Sequence, residues 1–330
     1  MNKLRFLILF ISALLLFYIY YLCEFKPLTT KNTHDPLKIA CSAWPGFMPV
    51  ILASELGYFK KSGIDVEYKY SENIRQQLLD FGAGVYDGAG FALGSVMALY
   101  AKASSISIIF ATDYSLGADA IVANAGINSI ADLKGKIIGA NLGSYAEFVI
   151  DDVLLKNNLT RKDIVLQNWN DENQACKMLA AGKYDAAFLW EPYVSKAINA
   201  GAHLIYTSAE QPGIVTDVFS FQNETIASRR GDVKKFVDCW FQAVDFWEAN
   251  TSEASLIISR AIGINPDFVS IKGMKLCGRL QNQKTFERAE NYLSIYYGGE
   301  RIAEHYIKIG IYKEKVNIDK LINPYFVKNN

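Results

Sequence analysis

The sequence lacks the features that usually reveal a polyanion-binding, metal-binding or disulfide-rich protein. Lysine plus arginine and aspartate plus glutamate both total 34 residues, so no net charge draws the chain towards nucleic acid or an anionic membrane. Three scattered histidines give no basis for a metal site. The five cysteines include no C-x-x-C pair and suggest no disulfide connectivity, and Cys41 and Cys239, in apolar runs, are expected to be buried free thiols. A chain of 330 residues that is 51% hydrophobic can still bury a large core, and its length suits two lobes better than one.

What the sequence does contain is a short phrase that occurs twice. Residues 84–89 read Gly-Val-Tyr-Asp-Gly-Ala, and residues 182–187 read Gly-Lys-Tyr-Asp-Ala-Ala. Each copy follows a leucine-bearing helical stretch and precedes a short apolar strand. Glycine ends the helix because it adopts a positive φ at little cost. Two related α/β units predict two similar lobes with a cleft between them; the alternative is coincidence, since the shared phrase is short.

The amino terminus predicts export. Two basic residues precede an apolar run over residues 6–22. As a helix this run would be about 25 Å long, slightly short of a bilayer core. The basic residues in front of it place the rest of the chain outside the cytoplasm. The sequence leaves open whether residues 1–25 are a cleaved signal peptide, a retained anchor or an anchor lipidated at Cys23. Residues 26–36 form a polar linker.

The body of the chain alternates between strand and helix patterns. We predict strands over 37–43, 64–70 and 104–111, and helices over 48–56 and 74–81. Proline and glycine within 44–47 turn the end of the first strand into a loop. This alternation predicts an α/β fold with mostly parallel sheets flanked by helices.

Several motifs, taken together, carry a family resemblance. They are Trp44-Pro45-Gly46-Phe47, Ala53-x-Glu55-Leu56-Gly57-Tyr58-Phe59, Asp132-Leu133-Lys134-Gly135-Lys136, the helix start at Gly143-Ser144, and Ala181-Gly182-x-Tyr184-Asp185-Ala186-Ala187 running into Trp190-Glu191-Pro192-Tyr193. In this order and spacing they resemble the nitrate/sulfonate/taurine-type, thiamine-precursor-like substrate-binding proteins of ABC importers. The resemblance implies a two-lobed periplasmic-binding-protein fold of type II, with a small ligand bound in the cleft between the lobes.

The implied fold divides the body into three stretches: the first part of lobe 1 over 37–113, lobe 2 over 114–215, and a return to lobe 1 with C-terminal helices over 216–330. The chain would leave the first lobe at 111–114 and return at 215–218. Both crossings place an aspartate, Asp113 and Asp217, beside the cleft. The alternative is that both aspartates only form turns.

Candidate ligand-binding residues follow predicted strands or begin predicted helices. Trp44 and Trp190 follow strands, where α/β clefts bind ligands, and their faces can stack on a planar or cationic group; core packing is the alternative. Ser144, with Glu147 in capping-box position, begins a helix whose N–H groups can receive an anionic group, or is an ordinary helix start. The predicted ligand-binding set comprises Trp44, Phe47, Leu93, Asp113, Ser115, Ser144, Tyr145, Trp190, Glu191 and Asp217.

The charges of these candidates predict a ligand with a basic nitrogen. Asp113, Glu191 and Asp217 have no arginine or lysine beside them in these loops. A carboxylate forms a charge-assisted hydrogen bond with an amine or amidine. Nitrate would depend on N–H and hydroxyl donors alone, whereas a zwitterion could place its acid group at 143–145. We therefore expect a sulfonate/taurine-like or pyrimidine-like ligand that contains nitrogen.

The resemblance implies an exported solute-binding protein, periplasmic or on the outer face of the cytoplasmic membrane, that delivers its ligand to an ABC permease in the inner membrane. We also expect a monomer with no cofactor, metal or nucleic-acid partner. One alternative is a membrane-anchored sensor that signals to a membrane partner. Another is an enzyme like those that form the thiamine pyrimidine, but these carry a C-C-C-F-C motif that this sequence lacks. Since neither G-x-S-x-G nor a paired Ser/His or Cys/His arrangement is apparent, we predict that the protein is not an enzyme.

Overall fold

Two sheets, one of six strands and one of five, organise the residues that the computed structural model describes, namely 35–102, 105–169, 171–314 and 316–328. The strands are β1 Leu37–Ser42, β2 Val66–Ser71, β3 Gly88–Ala92, β4 Ile106–Ser115, β5 Asp119–Ala123, β6 Ile137–Ala140, β7 Val165–Asn168, β8 Ala186–Trp190, β9 His203–Thr207, β10 Thr216–Gln222 and β11 Met274–Leu276. The larger sheet has the order β11-β4-β10-β3-β1-β2, and the smaller one β7-β6-β8-β5-β9. We call the larger sheet with its helices lobe 1 and the smaller sheet with its helices lobe 2.

Helices connect the strands and cover both sheets. The α-helices are Pro49–Glu55, Tyr58–Lys61, Ile74–Gly82, Leu93–Tyr100, Tyr145–Lys156, Glu172–Ala180, Tyr193–Asn199, Asn223–Ser228, Arg230–Ala249, Thr251–Ile262, Arg279–Thr285, Ile295–Lys308, Ile318–Leu321 and Tyr325–Lys328. Short 3₁₀ turns lie at Pro45–Phe47, Ile130–Leu133, Arg161–Asp163, Ser208–Glu210 and Pro266–Phe268. Polar side chains begin several helices: Asn73 Oδ1 accepts the N–H of Gln76 at 2.9 Å, which satisfies a donor that the helix leaves free.

The sheets are mixed, so the expectation of mostly parallel sheets is wrong in this detail. β1 is parallel to β2 and β3, and β6 is parallel to β7 and β8. β10 is antiparallel to β3 and β4, β5 is antiparallel to β8 and β9, and β11 is antiparallel to β4. The cause lies in the crossings, because β5 and β10 each enter a sheet from the other lobe and therefore run opposite to the strands beside them.

The repeated phrase occupies equivalent positions in the two lobes, as predicted. It leads into β3 in lobe 1 and into β8 in lobe 2. Asp87 Oδ2 accepts the N–H of Lys38 at 2.8 Å, and Asp185 Oδ2 accepts the N–H of Ile137 at 2.9 Å. Those N–H groups lie at the starts of β1 and β6, so each aspartate ties one strand to its parallel neighbour.

The chain crosses between the sheets at 116–118 and again at 208–215. The segment 111–114, expected to leave lobe 1, lies inside β4, which stays paired with β10 and β11. Ser115 Oγ and Ser208 Oγ lie 2.7 Å apart, and Ser208 Oγ also accepts the N–H of Gly117 at 2.7 Å. Hydrogen bonds therefore join the two crossings to each other.

One side of the boundary between the lobes is tightly packed. Here the helix Tyr145–Lys156 of lobe 2 meets Tyr292 and the helix Ile295–Lys308, which packs on lobe 1. The Tyr292 hydroxyl donates to Asp152 Oδ1 at 2.8 Å. The Phe148 ring contacts the rings of Tyr292 and His305, with centroids 6.2 and 5.6 Å apart. We call this contact the packed side.

The lobe 1 core is rich in aromatic side chains. Trp240, on the long helix Arg230–Ala249, lies against Phe110 of β4 and Phe219 of β10, with ring centroids 5.1 and 5.0 Å apart.

The expectation that Cys41 and Cys239 are buried free thiols is confirmed, and the two other cysteines of the described residues are also free and buried.

The predicted signal or anchor over residues 1–25 lies outside the described residues, as does the linker up to residue 34. In the part of the chain that the structure describes, no helix is both long enough and apolar enough to cross a membrane.

Candidate functional site

A cleft of about 500 Å³ lies between the lobes, and both predicted tryptophans line it. Trp44 follows β1 in lobe 1, and Trp190 ends β8 in lobe 2. The remaining lining residues are Ala43, Tyr70, Glu72, Ile74, Glu172, Asn173, Glu191, Pro192, Tyr193, Ser195, Lys196, Asn199, Ile264 and Phe268. The carboxyl ends of parallel strands therefore form the cleft, as in other α/β proteins.

The Trp44 ring is fixed at the floor of the cleft. Its Nε1–H donates to Asp113 Oδ1 at 3.1 Å, and only 7% of the residue is exposed. Pro45 begins the 3₁₀ turn that directs the chain away after Trp44. Gly46 of this turn has no space for a side chain, because a Cβ there would overlap with the Asp113 carboxylate. The Trp-Pro-Gly sequence therefore seats the indole on a buried carboxylate.

Asp113 and Asp217 form a buried carboxyl pair beneath Trp44. They lie directly opposite each other in the β4–β10 register, and Thr112 Oγ1 donates to Asp113 Oδ2 at 2.9 Å. Burial raises the pKa of Asp113 to about 6. Burial, followed by the nearby charge of Asp113, raises the pKa of Asp217 well above its usual range. Two adjacent buried carboxyl groups do not both ionise readily, so burial and their mutual charge favour one proton shared by the pair.

A third buried carboxyl, Asp119, completes this group and was not predicted from the sequence. It begins β5, and its register partner in β8 is Trp190. Tyr145 Oη donates to Asp119 Oδ1 at 2.7 Å, and Ser115 Oγ accepts the N–H of Asp119 at 3.0 Å. Burial raises the pKa of Asp119 to about 6. Its only sequence signal was its position just after the crossing, beside an apolar strand.

The helix start at Ser144 uses its capping groups internally. Ser144 Oγ accepts the N–H of Ala146 at 3.2 Å, while Glu147 Oε1 accepts the N–H of Gly143 at 2.6 Å. Arg161 also pairs with the Glu147 carboxylate. The carboxylate therefore already lies where an anionic ligand group was expected, and Ser144 does not line the cleft.

Three other predicted residues lie in the interior. Phe47 packs against Phe91, with ring centroids 6.5 Å apart, and Leu93 is buried at the start of its helix. Ser115 binds Ser208 across the crossings. Of these three side chains only Phe47 clusters with Trp44, and none of the three lines the cleft.

Glu191 lines the cleft and also caps the helix Tyr193–Asn199. Its carboxylate accepts the Ser195 N–H at 3.1 Å and the Ser195 hydroxyl at 2.9 Å. These bonds hold the side chain beside Trp190, with two donors already engaged.

The cleft is acidic but also contains one lysine, which was not predicted from the sequence. Glu72, Glu172 and Glu191 supply three carboxylates, and burial raises the pKa of Glu172. Lys196 lies on the helix after Glu191, and its Nζ donates to Asn173 Oδ1 at 2.5 Å. Lys196 was not predicted because it lies on a helix and not in a loop at the end of a strand.

Comparison with known proteins shows the family to which the chain belongs. Residues 44–254, well over half of the chain, match the family model described as NMT1/THI5 like, and the protein belongs to this family. A candidate binding protein of Brucella abortus is 26% identical over 247 residues, which cover 73% of this chain and 76% of that protein. A candidate aliphatic sulfonates-binding protein of Bacillus subtilis is 25% identical over 238 residues, 69% of this chain and 71% of that protein.

Solved structures define the fold. The periplasmic aliphatic sulphonate binding protein SsuA from Escherichia coli superposes with a TM-score of 0.71 at 14% identity, over 87% of this chain and 97% of that one. The chain therefore has the two-lobed periplasmic-binding-protein fold. The same fold also occurs in the desulfurization enzyme DSZB, with a TM-score of 0.63 at 16% identity over 89% of this chain and 98% of that one. At such identities the likeness concerns the fold alone.

Proposed function

We propose that the protein is an extracytoplasmic solute-binding protein that captures a small nitrogen-containing ligand by lobe closure and delivers it to an ABC importer. One observation carries the proposal: Trp44 and Trp190 line the same cleft from opposite lobes, among three glutamates and one lysine. Two aromatic faces hold a planar or cationic group, while carboxylates attract its positive charge.

Lobe closure follows from the placement of the tryptophans. A ligand favours the closed arrangement only through contacts that do not exist when the lobes are apart. A ligand that touches Trp44 and Trp190 together makes such contacts. The Asp113–Asp217 pair fixes the Trp44 indole beforehand, so little side-chain entropy is lost when the ligand binds.

The ligand class follows from the charges and from the names of the relatives. A relative and a structural neighbour are named as binders of aliphatic sulfonates. A bare sulfonate in this cleft would meet three carboxylates and one lysine, which is unfavourable. An amino-sulfonate such as taurine, or an aminopyrimidine, brings positive charge to the carboxylates. We therefore favour a zwitterionic or basic ligand over nitrate or a simple sulfonate.

The cysteines favour binding over thiol-based catalysis. Cys41, Cys176, Cys239 and Cys277 are all buried. Burial raises the pKa of each thiol, so the reactive thiolate is suppressed. We therefore place the protein with the transport components of its fold and not with the enzymes. The export signal, monomeric state and permease partner are parts of the same proposal.

Thermal unfolding of the full chain with a compound panel tests the proposal. The panel contains nitrate, ethanesulfonate, taurine, an aminopyrimidine and a polyamine. A compound present at 100 times its Kd should stabilise the native state by about 2.7 kcal/mol and raise the Tm. We expect shifts from the nitrogen-containing compounds. Shifts from ethanesulfonate or nitrate alone would contradict the ligand class, and no shift at all would contradict small-molecule binding.

A Trp44→Ala variant tests the site. It should weaken binding of the active compound at least tenfold while the protein remains folded, with Leu280→Ala on the exposed surface as control. Loss of folding together with binding would instead make Trp44 a core residue.

A further inference from the structure

The cleft has a wall that neither sheet provides. Ile264 and Phe268 line it, and both belong to residues 263–269, which follow the helix Thr251–Ile262. We call residues 263–269 the rim segment. We infer that the rim segment determines ligand selectivity, with Phe268 contacting an apolar portion of the ligand that extends from its charged group. This inference rests on the proposed function and specifies the ligand further.

The first half of the rim segment has a defined backbone. Gly263 ends the preceding helix with φ of 74°, in the left-handed region that glycine favours. Its N–H and that of Ile264 both donate to the Ser259 carbonyl, at 2.8 and 3.1 Å. Asn265 Oδ1 then accepts the N–H of Asp267 at 2.9 Å, which fixes the turn that carries Phe268.

The second half is anchored to the core. Val269, the residue after Phe268, is 1% exposed, and its carbonyl accepts the Ser255 hydroxyl at 2.7 Å. Phe268 itself is 52% exposed although it lines the cleft. A large apolar ring held by a fixed backbone at the mouth of a cleft is available to bury apolar ligand surface.

Lobe 1 contributes a group of apolar side chains to the lining, Ile74, Ile264 and Phe268, beside the charged Glu72. A ligand that carries only charged groups would leave these three apolar side chains without a partner. A ligand with an apolar or aromatic extension would contact them.

The volume of the cleft agrees with a ligand of this size. At roughly 30 Å³ per water molecule, a cleft of about 500 Å³ holds on the order of 16 waters. Taurine has seven non-hydrogen atoms and would fill only part of this space. An amine or amino-sulfonate with a ring attached would fill it better and reach the rim segment.

A matched pair of probes tests the inference. Taurine and N-cyclohexyltaurine share the amino-sulfonate group and differ by one apolar ring. In the full chain, calorimetric titration should give tighter binding for N-cyclohexyltaurine. Phe268→Ala should weaken that binding about tenfold and leave the Kd of taurine unchanged. Leu280→Ala, which removes a 75% exposed side chain, serves as the matched control and should change neither Kd.

A second measurement covers the case in which the true ligand is another compound of the panel. The cysteines of the described residues are buried, so Phe268→Cys in a Cys23→Ser background can be labelled selectively with an environment-sensitive fluorophore. N-cyclohexyltaurine, and any panel compound with a ring or a methylene chain, should change the emission of this label if it raises the Tm.

The outcomes separate the two proposals. If compounds raise the Tm but Phe268→Ala lowers the affinity for both members of the pair equally, or the label does not respond, selectivity by the rim segment is refuted while the binding function stands. If no compound raises the Tm, the binding function fails and the inference fails with it. Circular dichroism of Phe268→Ala confirms that the variant is folded.

Discussion

The two lobes contain the same structural unit in different surroundings. β2-β1-β3 in lobe 1 and β7-β6-β8 in lobe 2 are parallel triplets, and each is joined at one edge by a strand that has crossed from the other lobe. In each unit an aspartate accepts an N–H at the start of the central strand. The shared phrase is therefore an architectural device and not a ligand motif.

What differs is the burial of the aspartate. Asp87 is fully buried, and its Oδ1 also accepts the Thr225 hydroxyl at 2.7 Å. The Asp185 side chain is 37% exposed and lies 3.8 Å from Lys136 Nζ. Lobe 1 encloses its aspartate with a helix from the returning chain, whereas lobe 2 leaves the equivalent group near water. The same hydrogen bond should therefore contribute very different amounts to the stability of the two lobes.

The largest expected effect comes from removing these two carboxylates in parallel. Asp87→Ala should lower the free energy of unfolding by about 4 kcal/mol, because buried donors lose a charged acceptor. Asp185→Ala should lower it by only about 1 kcal/mol, since water can replace the lost acceptor. Urea unfolding monitored by circular dichroism measures both values. Equal losses would show that burial does not distinguish the lobes.

The free energy of unfolding should depend on pH because of the buried carboxyl groups at the boundary between the lobes. The pKa of Asp113 and of Asp119 rises from 3.8 to about 6 on burial, so the folded state binds protons more tightly than the unfolded state. The stabilisation is fully present below about pH 4 and is lost as pH rises through 6. The free energy of unfolding should therefore fall between pH 4 and pH 7. Asp119→Asn, which stays neutral, should make this fall smaller by on the order of 2 kcal/mol, as measured by unfolding at the two pH values. An unchanged slope would argue against a protonated Asp119.

The packed side offers a smaller perturbation that spares the cleft. Tyr292→Phe removes the hydroxyl that bonds Asp152 and should destabilise the protein by about 1.5 kcal/mol. Tyr325→Phe, at an exposed ring, is the matched control and should have little effect. Thermal unfolding compares the two, and similar values for both variants would mean that the Tyr292 bond does not support the contact between the lobes.

The smallest expected effect should be equal in the two lobes. Gly84 and Gly182 have φ of 80° and 66°, and neither has an atom within 4 Å of a Cβ built on it. Alanine at either position is strained only by its backbone, so the free energy of unfolding of each variant should fall by about 1 kcal/mol. Urea midpoints should shift equally, and a large difference would break the equivalence of the two turns.

The sequence predicted those features that local chemistry dictates. The phrase around Asp87 and Asp185 gave the two lobes, and Trp44 and Trp190 were found because each lies where a strand ends. The mixed sheets were not foreseen, because strand direction depends on the crossings and not on the pattern within a strand. Asp119 and Phe268 were missed for a related reason, since long-range packing alone brings them to the boundary and to the cleft.

The insertion of β10 between β3 and β4 has a consequence for the growing chain. All strands of lobe 2 lie between residues 119 and 207 in one continuous stretch, whereas lobe 1 receives β10 and β11 only after Thr216 and Met274. A chain that emerges from its amino terminus can therefore complete the smaller sheet while β3 and β4 of the larger sheet still have open edges. Unpaired edges of this kind recruit other strands, so a chaperone that shields the incomplete chain has its main target at the open edges of β3 and β4.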